Sequence, residues 1–306
     1  MDLQKKLQEY PSVFIVFDMN VETLAEDIAE KAGIEACLGI EACEKNKTLE
    51  TARDICRFLM DFGADRNSLL LAVGGGTISD IAGFAASVYK RGIRWGIVPT
   101  TLLSMVDASI GGKTGVNADN YKNMIGSFHM PEFSVPAFEA LETLPPREMR
   151  SGIAEMLKTF LLADEKLYSD AVEAVAGGNG DLKRFIEAAA DIKRDIVSRD
   201  PFEEGERKKL NLGHTFAHAI EWWQHSQEVG NPYTHGEAVA IGIVQAAGLC
   251  NIALAERLKA DFSRCGLPVE LPCSIDELMP AMERDKKNNG TEIRFVLINE
   301  IGDILI

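Results

Sequence analysis

The chain has 306 residues, of which 46% are hydrophobic and 26% are charged, and its formal net charge is −15. This composition is typical of a globular protein, and the length favours two domains. The acidic balance argues against a nucleic-acid partner, because binding a phosphate backbone requires a basic face.

The cysteines and the apolar runs indicate the compartment. Six cysteines without CxxC spacing favour reduced thiols over a disulfide scaffold. The N-terminus lacks an apolar signal core, and no apolar run reaches the roughly 20 residues that span a bilayer. We therefore expect a cytoplasmic protein that does not contact a membrane.

The first half of the chain alternates between strand and helix patterns. Short apolar runs predict buried parallel strands at residues 12–17, 69–73 and 95–98. Residues 47–62 carry apolar positions at helical spacing. This alternation predicts an α/β nucleotide-binding domain with a mostly parallel sheet over residues 1–146.

The second half is mostly helical, which predicts a mainly α-helical domain over residues 147–306. The adjacent prolines Pro145 and Pro146 mark the expected boundary, since paired prolines end a regular element. A short echo between Gly33 and Cys43 is too brief for a solenoid repeat. The predicted helices are 148–162, 165–175, 181–199, 206–223, 235–257 and 275–284.

Glycines follow the second predicted strand. Gly74, Gly75 and Gly76 precede a helix of small residues. Glycines at a strand-to-helix turn let backbone amides approach a pyrophosphate, and the helix N-terminus adds partial positive charge. The pattern is not GxGxxG, so a tight turn packed on its own helix is an equal alternative.

A run of small and polar residues extends from Pro99 to Gly126. Asp107, Lys113, Lys122 and Asn123 lie among glycines in this run. Such a pattern favours anions held by side-chain charge and backbone amides together. The alternative is a glycine-rich surface loop with solvated lysines.

A metal site is the third candidate. Glu155, His214 and His235 are one carboxylate and two imidazoles, a set that leaves a coordination position open, as catalytic zinc sites do. His214 and His218 are four residues apart and are expected on one helix face. The alternative is ordinary core or surface histidines and a solvated glutamate.

A set of short motifs follows one another along nearly the whole chain. The motifs are Asp18-x-Asn20, Glu44-x-x-Lys47, Gly74 to Asp80, Arg91-Gly92, Pro99 to Asp107, Gly111-Gly112-Lys113-Thr114, Lys122-Asn123, Glu155 with Lys158, Lys193, Arg207 with Asn211, His214 with His218, His235-Gly236-Glu237, and Asp285-Lys286-Lys287. Each motif is weak by itself, but the order is highly specific. In this order the motifs resemble those of the 3-dehydroquinate synthase family.

The resemblance implies NAD as cofactor, zinc as the metal with cobalt as a substitute, and a homodimer. The metal ligands would be Glu155, His214 and His235, which would make the α-helical domain of residues 147–306 the metal- and substrate-binding domain. The NAD-binding residues would be Asp18, Asn20, Glu44, Lys47, Gly75, Gly76, Asp80, Thr100, Thr101, Lys113, Lys122 and Thr143. The catalytic residues of the substrate pocket would be Asp107, Lys113, Lys158, Lys193, Arg207, Asn211 and His218. The substrate phosphate would be bound by Lys113, Asn123, one of Lys286 and Lys287, and Arg91 from a dimer partner.

The implied activity converts 3-deoxy-arabino-heptulosonate 7-phosphate to 3-dehydroquinate and phosphate, a phosphorus–oxygen lyase reaction of the shikimate pathway of aromatic amino acid biosynthesis. It combines transient oxidation by NAD, β-elimination of phosphate, re-reduction, ring opening and aldol closure. Arg207 is expected to hold the substrate carboxylate, because its planar fork makes two parallel charge-assisted bonds. Arg207, Asn211, His214 and His218 recur at helical spacing and are expected on one helix face. The alternative is an exposed arginine in a charged run.

Other activities on a related architecture stay open. A different sugar-phosphate cyclase would act on a substrate without the carboxylate, an iron-type alcohol or glycerol dehydrogenase would release NADH, and a non-catalytic NAD-binding protein would do neither. The residues that favour the dehydroquinate reaction are Lys158, Lys193, Arg207 and Asn211. The short stretch from Asn20 to Glu44 and the long stretch after His218 depart from the family pattern.

Overall fold

The structure is a computed structural model. The chain forms two compact units, Met1–Leu144 and Pro145–Ile306. Among the helices in the described part of the chain, none has both the length and the apolar composition needed to cross a membrane. The described residues are 2–118, 121–178, 181–283 and 293–306.

Unit 1 contains a four-stranded parallel sheet. Its strands are β1 (Val13–Asp18), β2 (Cys37–Ile40), β3 (Leu69–Gly74) and β4 (Arg94–Pro99). The strand order is β2-β1-β3-β4, and every neighbouring pair is parallel. Three of these strands confirm those predicted from apolar runs, and the parallel pairing confirms the predicted α/β fold.

The sequence did not predict β2. This strand lies within the echo between Gly33 and Cys43, which had suggested only a local duplication. It is short and partly exposed, so it lacks the continuous apolar run of a central strand. Gly39 pairs with Phe17 of β1, and a Cβ on Gly39 would lie 3.0 Å from the Phe17 ring. The glycine therefore makes room for an aromatic ring at the sheet edge.

Helices cover both faces of the sheet, because alternate side chains of each strand point to opposite faces. Leu7 and Ile28, from the first two helices, pack with Ile15 of β1 on one face. Ile55 and Ile81, from the next two, pack on the other face. The four helices are α1 (Leu3–Leu7), α2 (Glu22–Ala32), α3 (Leu49–Asp61) and α4 (Gly76–Val88).

The glycine-rich run after β4 forms an antiparallel hairpin of β5 (Lys113–Ala118) and β6 (Tyr121–Phe128). Gly115 faces Gly126, and a Cβ on Gly115 would lie 2.8 Å from the carbonyl oxygen of Ile125. These glycines therefore permit close strand pairing, and they do not form the loop that was the alternative to an anion site.

Unit 2 is mainly helical, as predicted. Its helices are α5 (Pro146–Leu161), α6 (Glu165–Gly177), α7 (Leu182–Arg199), α8 (His214–Ser226), α9 (His235–Gly248), α10 (Ile252–Arg264) and α11 (Ile275–Glu283). A small hairpin follows, with strands β7 (Leu297–Glu300) and β8 (Asp303–Leu305).

Two helix predictions are wrong, because each predicted helix is two elements. Residues 206–211 form a 3₁₀ helix that ends before α8, since Gly213 has a φ of 79° and a Cβ there would lie 2.7 Å from the backbone nitrogen of Ile243. The predicted helix 235–257 breaks where the Asn251 side chain accepts the Leu254 N–H at 3.1 Å and caps α10.

The first break changes the predicted arrangement of the site. Arg207 and Asn211 lie in the 3₁₀ helix, whereas His214 and His218 lie in α8. The expectation that all four share one helix face is therefore wrong, since helical periodicity does not continue through a left-handed residue.

Candidate active site

Three potential metal ligands come together in unit 2. Glu155 lies in α5, and His214 and His235 are the first residues of α8 and α9. One donor atom from each lies within 4.8 Å of the others. Glu155 Oε1 is 3.7 Å from His214 Nε2 and 3.3 Å from His235 Nε2. A carboxylate and two imidazoles at this spacing fit a single divalent cation.

Each histidine is oriented through its other ring nitrogen. His214 Nδ1 lies 3.2 Å from the Leu212 carbonyl oxygen, and His235 Nδ1 lies 3.3 Å from Glu221 Oε1. An Nδ1 proton donated to these oxygens leaves the Nε2 lone pair available to a metal. Burial lowers the pKa of His235, but the carboxylates of Glu221 and Glu155 outweigh burial and raise the pKa to about 10. These carboxylates therefore favour a positive charge at the site.

A glycine contact brings His235 to Glu155. The Gly236 N–H donates to Ser151 Oγ at 3.1 Å, and a Cβ on Gly236 would lie 2.6 Å from the Ser151 carbonyl carbon. Ser151 is one turn before Glu155 on α5. Close contact between α9 and α5 at this glycine therefore places the two ligands side by side.

His218 lies beside the ligand set. It follows His214 by one turn of α8, and their ring centroids are 5.5 Å apart. The centroid of His218 is 6.4 Å from that of His235. The side chain is exposed, unlike the ligand carboxylate of Glu155. This position is compatible with the predicted substrate contact and adds no fourth ligand to the candidate set.

A buried lysine links the ligand carboxylate to the 3₁₀ helix. Lys158 is 1% exposed, and its Nζ lies 2.5 Å from Glu155 Oε2. The same ammonium donates to the Leu210 carbonyl oxygen at 2.8 Å. Lys193 of α7 and Arg207 of the 3₁₀ helix are also buried. Buried cations are uncommon unless they meet negative charge from the protein or from a ligand.

Asp200 organises the segment that carries Arg207. Its carboxylate accepts backbone N–H groups from Glu204 at 2.9 Å, Gly205 at 2.8 Å and Arg207 at 3.0 Å. Burial raises the pKa of Asp200, but these hydrogen bonds outweigh burial and hold the pKa below its usual value. The Arg207 guanidinium donates to the Pro201 carbonyl oxygen at 2.5 Å. Arg207 is therefore buried, against the alternative of a solvated arginine.

Sequence reasoning did not single out Asp200. Its available signal is Asp-Pro followed by Gly205, a turn pattern without chemistry of its own. Asn211, at the end of the same 3₁₀ helix, donates its side-chain amide to Glu203 Oε1. The segment from Asp200 to Gly205 therefore contacts both Arg207 and Asn211, the two substrate residues predicted in the 3₁₀ helix.

The glycine turn of unit 1 connects β3 to α4. Gly75 is the N-cap of α4, so the N-cap residue has no side chain to bond the first N–H groups of the helix. A Cβ on Gly75 would lie 2.9 Å from Thr101 Cγ2. The turn therefore requires glycine next to the segment after β4, and it leaves a helix N-terminus of the kind that binds phosphate.

Several candidate cofactor residues lie at the carboxyl edge of the parallel sheet. Asp18 ends β1, Gly74 ends β3 and Thr100 follows β4. Asp18 Oδ1 accepts the backbone and side-chain N–H groups of Asn20, each at 2.9 Å. Burial raises the pKa of Asp18, and these hydrogen bonds oppose that rise. Open α/β sheets bind nucleotides at this edge.

A bridge in the same unit joins further candidates. Lys47 and Asp80 form a largely buried ion pair, in which burial raises the pKa of Asp80 and Lys47 opposes the rise. Asn117 N–H donates to the Lys47 carbonyl oxygen at 2.8 Å, and Asn117 Nδ2 donates to Glu44 Oε1 at 2.8 Å. Asn117 Oδ1 accepts the Asn123 N–H at 2.9 Å. Sequence reasoning missed Asn117, whose signal is only its place in the glycine-rich run.

The other candidates of unit 1 are more exposed. Arg91 lies in a turn where Lys90, Arg91 and Gly92 have φ values of 48°, 67° and 111°. Asp107 is half-buried in a π-helical turn. Lys286 and Lys287 lie outside the described residues. The exposed candidates are Asn20, Glu44, Arg91, Lys113, Lys122, Asn123 and Thr143.

Comparison with known proteins identifies relatives of the whole chain. The 3-dehydroquinate synthase N-terminal model matches residues 37–151, and the 3-dehydroquinate synthase C-terminal model matches residues 152–288. A 3-dehydroquinate synthase from Acidithiobacillus ferrooxidans is 40% identical over 310 residues, covering 96% of this chain and 84% of the relative.

Solved structures of two other synthases share the fold. A 2-epi-5-epi-valiolone synthase from Streptomyces hygroscopicus with NAD+ and Zn2+ bound gives a TM-score of 0.86 at 27% identity. A 2-deoxy-scyllo-inosose synthase complexed with carbaglucose-6-phosphate, NAD+ and Co2+ gives 0.85 at 25% identity. Each match covers 99% of this chain and 89% of the other chain. With two family models that together span most of its length, this chain belongs to the 3-dehydroquinate synthase family.

Proposed function

We propose that this chain converts 3-deoxy-arabino-heptulosonate 7-phosphate to 3-dehydroquinate and phosphate. The observation that carries the proposal is the ligand set of Glu155, His214 and His235, with the buried ammonium of Lys158 in contact with Glu155. The substrate carries hydroxyls, a carboxylate and a phosphate, which suit a metal centre surrounded by cations. The 40% identity to a 3-dehydroquinate synthase also exceeds the 25% and 27% to the other two synthases.

Glu155, His214 and His235 would hold the divalent cation, Zn2+ or Co2+. The metal would supply Lewis-acid polarisation of a substrate hydroxyl, which favours oxidation of that carbon. Each imidazole can bind the ion only through a neutral Nε2. The contacts of Nδ1 with Leu212 and Glu221 select that tautomer and hold the rings in place.

The carboxyl edge of the sheet in unit 1 would bind NAD. Gly75 and Gly76 would let the pyrophosphate approach the start of α4. NAD would supply the hydride acceptor and, once reduced, the donor that returns the hydride. The other groups proposed at this site are Asp18, Asn20, Glu44, Lys47, Asp80, Thr100, Thr101, Lys113, Lys122 and Thr143.

The cations of unit 2 would bind the substrate acid. Arg207 would hold the carboxylate with two parallel charge-assisted hydrogen bonds. Lys158 and Lys193 would add positive charge, and Asn211 would donate its amide to a substrate oxygen. His218 lies beside the ligand set and can exchange a proton at a ring nitrogen with a substrate hydroxyl. Asp107 of unit 1 is proposed as a further substrate contact.

We also propose a homodimer in which Arg91 binds the substrate phosphate of the partner subunit. The turn around Arg91 has two successive non-glycine residues at positive φ, a strained conformation that is common at functional sites. The other groups proposed for phosphate are Lys113, Asn123 and one of Lys286 and Lys287. If the proposal holds, mixing inactive Arg91→Ala and His235→Ala chains recovers activity that neither has alone, because one site of the mixed dimer is complete.

A direct assay tests the activity. Phosphate release should match 3-dehydroquinate formation, measured by coupling to 3-dehydroquinate dehydratase, while NADH absorbance stays flat. His235→Ala serves as the metal-site control. Accumulation of NADH would favour the dehydrogenase reading, and no turnover of this substrate by metal- and NAD-loaded protein would favour another sugar-phosphate cyclase.

A further inference from the structure

We propose that Arg147 is a positioning residue that fixes the loop leading to His235 and thereby sets how tightly the metal is held. The proposal rests on the metal centre proposed above. The loop comprises residues 227–234, between α8 and α9, and is called the His235 loop below. Since His235 is the first residue of α9, its position depends on where this loop ends.

The guanidinium of Arg147 bonds the loop and the start of α9 together. Nη1 donates to Asn231 Oδ1 at 2.6 Å, and Nη2 donates to the Pro232 carbonyl oxygen. Nε and Nη2 donate to Glu237 Oε2 at 3.1 Å and 2.9 Å. The planar guanidinium fork can donate to all three residues at once from fixed directions, whereas a lysine ammonium cannot copy this arrangement.

Glu237 connects this fork to the turn that contains His235. The Thr234 N–H donates to Glu237 Oε2 at 2.8 Å, and the Glu237 N–H donates to Thr234 Oγ1 at 3.3 Å. These two residues form a capping box with His235 inside it. The Glu237 side chain is only 7% exposed, so its carboxylate needs nearby positive charge, which Arg147 supplies at 2.9 Å and Arg150 more weakly at 4.0 Å.

One face of α5 carries the fork, a second contact and a metal ligand. Arg147, Ser151 and Glu155 are successive residues at four-residue spacing, so they lie on one side of the helix. Arg147 bonds the loop, Ser151 accepts the Gly236 N–H, and Glu155 is a ligand. Helix α5 therefore carries the ligand Glu155 and also holds the start of α9, where His235 lies.

The loop is also anchored to α8, through Tyr233 near its α9 end. Gln224 accepts the Tyr233 N–H through Oε1, and its Nε2 lies 3.5 Å from the Tyr233 carbonyl oxygen. With Gln224 intact, loss of Arg147 should loosen the loop without unfolding α8. We therefore expect faster loss of the metal, by about tenfold, as for other residues that support metal ligands indirectly.

The test uses full-length protein loaded with Co2+, comparing Arg147→Met and Arg147→Lys with wild type. The readouts are the visible absorption spectrum of Co2+ and the rate of its loss to a chelator. Arg147→Met should lose Co2+ about tenfold faster with an altered spectrum, and Arg147→Lys should be intermediate, since lysine keeps the charge but not the fork. Arg264→Met is the matched control: it removes an arginine paired with Glu173 at 2.8 Å, between α6 and α10, and should behave as wild type.

A folded Arg147→Met protein with the wild-type rate and spectrum overturns the proposal. If that variant does not fold, Arg147→Lys and Asn231→Ala decide, because Asn231→Ala removes one fork contact from an exposed residue. Wild-type rates in both overturn the proposal. If the wild-type chain takes up no Co2+, the metal centre itself is refuted and this inference with it, whereas uptake with unchanged variants refutes the inference alone.

Discussion

Alanine at position 236 should disrupt the metal centre without altering any ligand. A Cβ on Gly236 would lie 2.6 Å from the Ser151 carbonyl carbon, whereas non-bonded carbons separate to about 3.5–4.0 Å. The obstacle is backbone, so α9 must move away from α5 by about 1 Å. Metal–ligand distances tolerate only about 0.2 Å, and Glu155 and His235 lie on opposite sides of this contact. Affinity for Zn2+ should fall by about 10- to 100-fold.

Elemental analysis after dialysis, with thermal unfolding, checks this expectation. Overpacking should cost about 1–3 kcal/mol, partly offset by about 1 kcal/mol from the better helix propensity of alanine. Gly248→Ala is the matched control at the other end of α9, where a Cβ would have only Ala255 Cβ nearby, at 3.9 Å. A Gly236→Ala protein that holds one equivalent of metal as tightly as wild type would refute the reasoning.

Three further outcomes follow from the contacts in unit 2. Arg207→Lys should lower kcat/KM by about 30- to 150-fold, or about 2 to 3 kcal/mol, with metal content unchanged. A loss under about threefold would show that Arg207 does not hold the substrate carboxylate and would make Lys193 the next candidate. The lowered pKa of Asp200 stabilises the fold above its unfolded pKa of about 3.9 and loses that effect as pH falls through the folded value. The difference in Tm between wild type and Asp200→Asn should therefore be largest near neutral pH and shrink in acid, and calorimetry showing a constant difference would contradict this. His235→Ala should remove the metal and nearly all activity, and full metal content by elemental analysis would show that the ligands are misassigned.

The sheet could be predicted where burial leaves a continuous signal. β1, β3 and β4 lie between helices and are apolar almost throughout, so their runs are visible in the sequence. β2 is half-exposed and contains Gly39, a residue depleted in strands, which interrupts its short apolar run. Its pairing with β1 is a long-range contact that local patterns do not encode.

The helical unit shows the same limit. Periodicity predicts that residues 206–223 are helical, but it does not reveal that Gly213 adopts a left-handed conformation against α9. The roles of Asp200 and Asn117 also depend on hydrogen bonds formed only in the folded chain. The ligand set was predicted from residue type and family resemblance, and its spacing in the structure is compatible with that prediction. The roles of the individual site residues stay predictions.

The two ends of the His235 loop differ in how much change they should accept over evolution. From Asn231 onward the loop is bonded to α5 through the Asn231 side chain and the Pro232 carbonyl oxygen, and to the cap of α9 through the Thr234 N–H, so the register of His235 is set locally. Gly230, just before these anchors, has open space where a side chain would project. Residues added or removed there would change the length of the connection without shifting the ligand. The same position is a natural insertion point for a peptide tag or a spectroscopic probe.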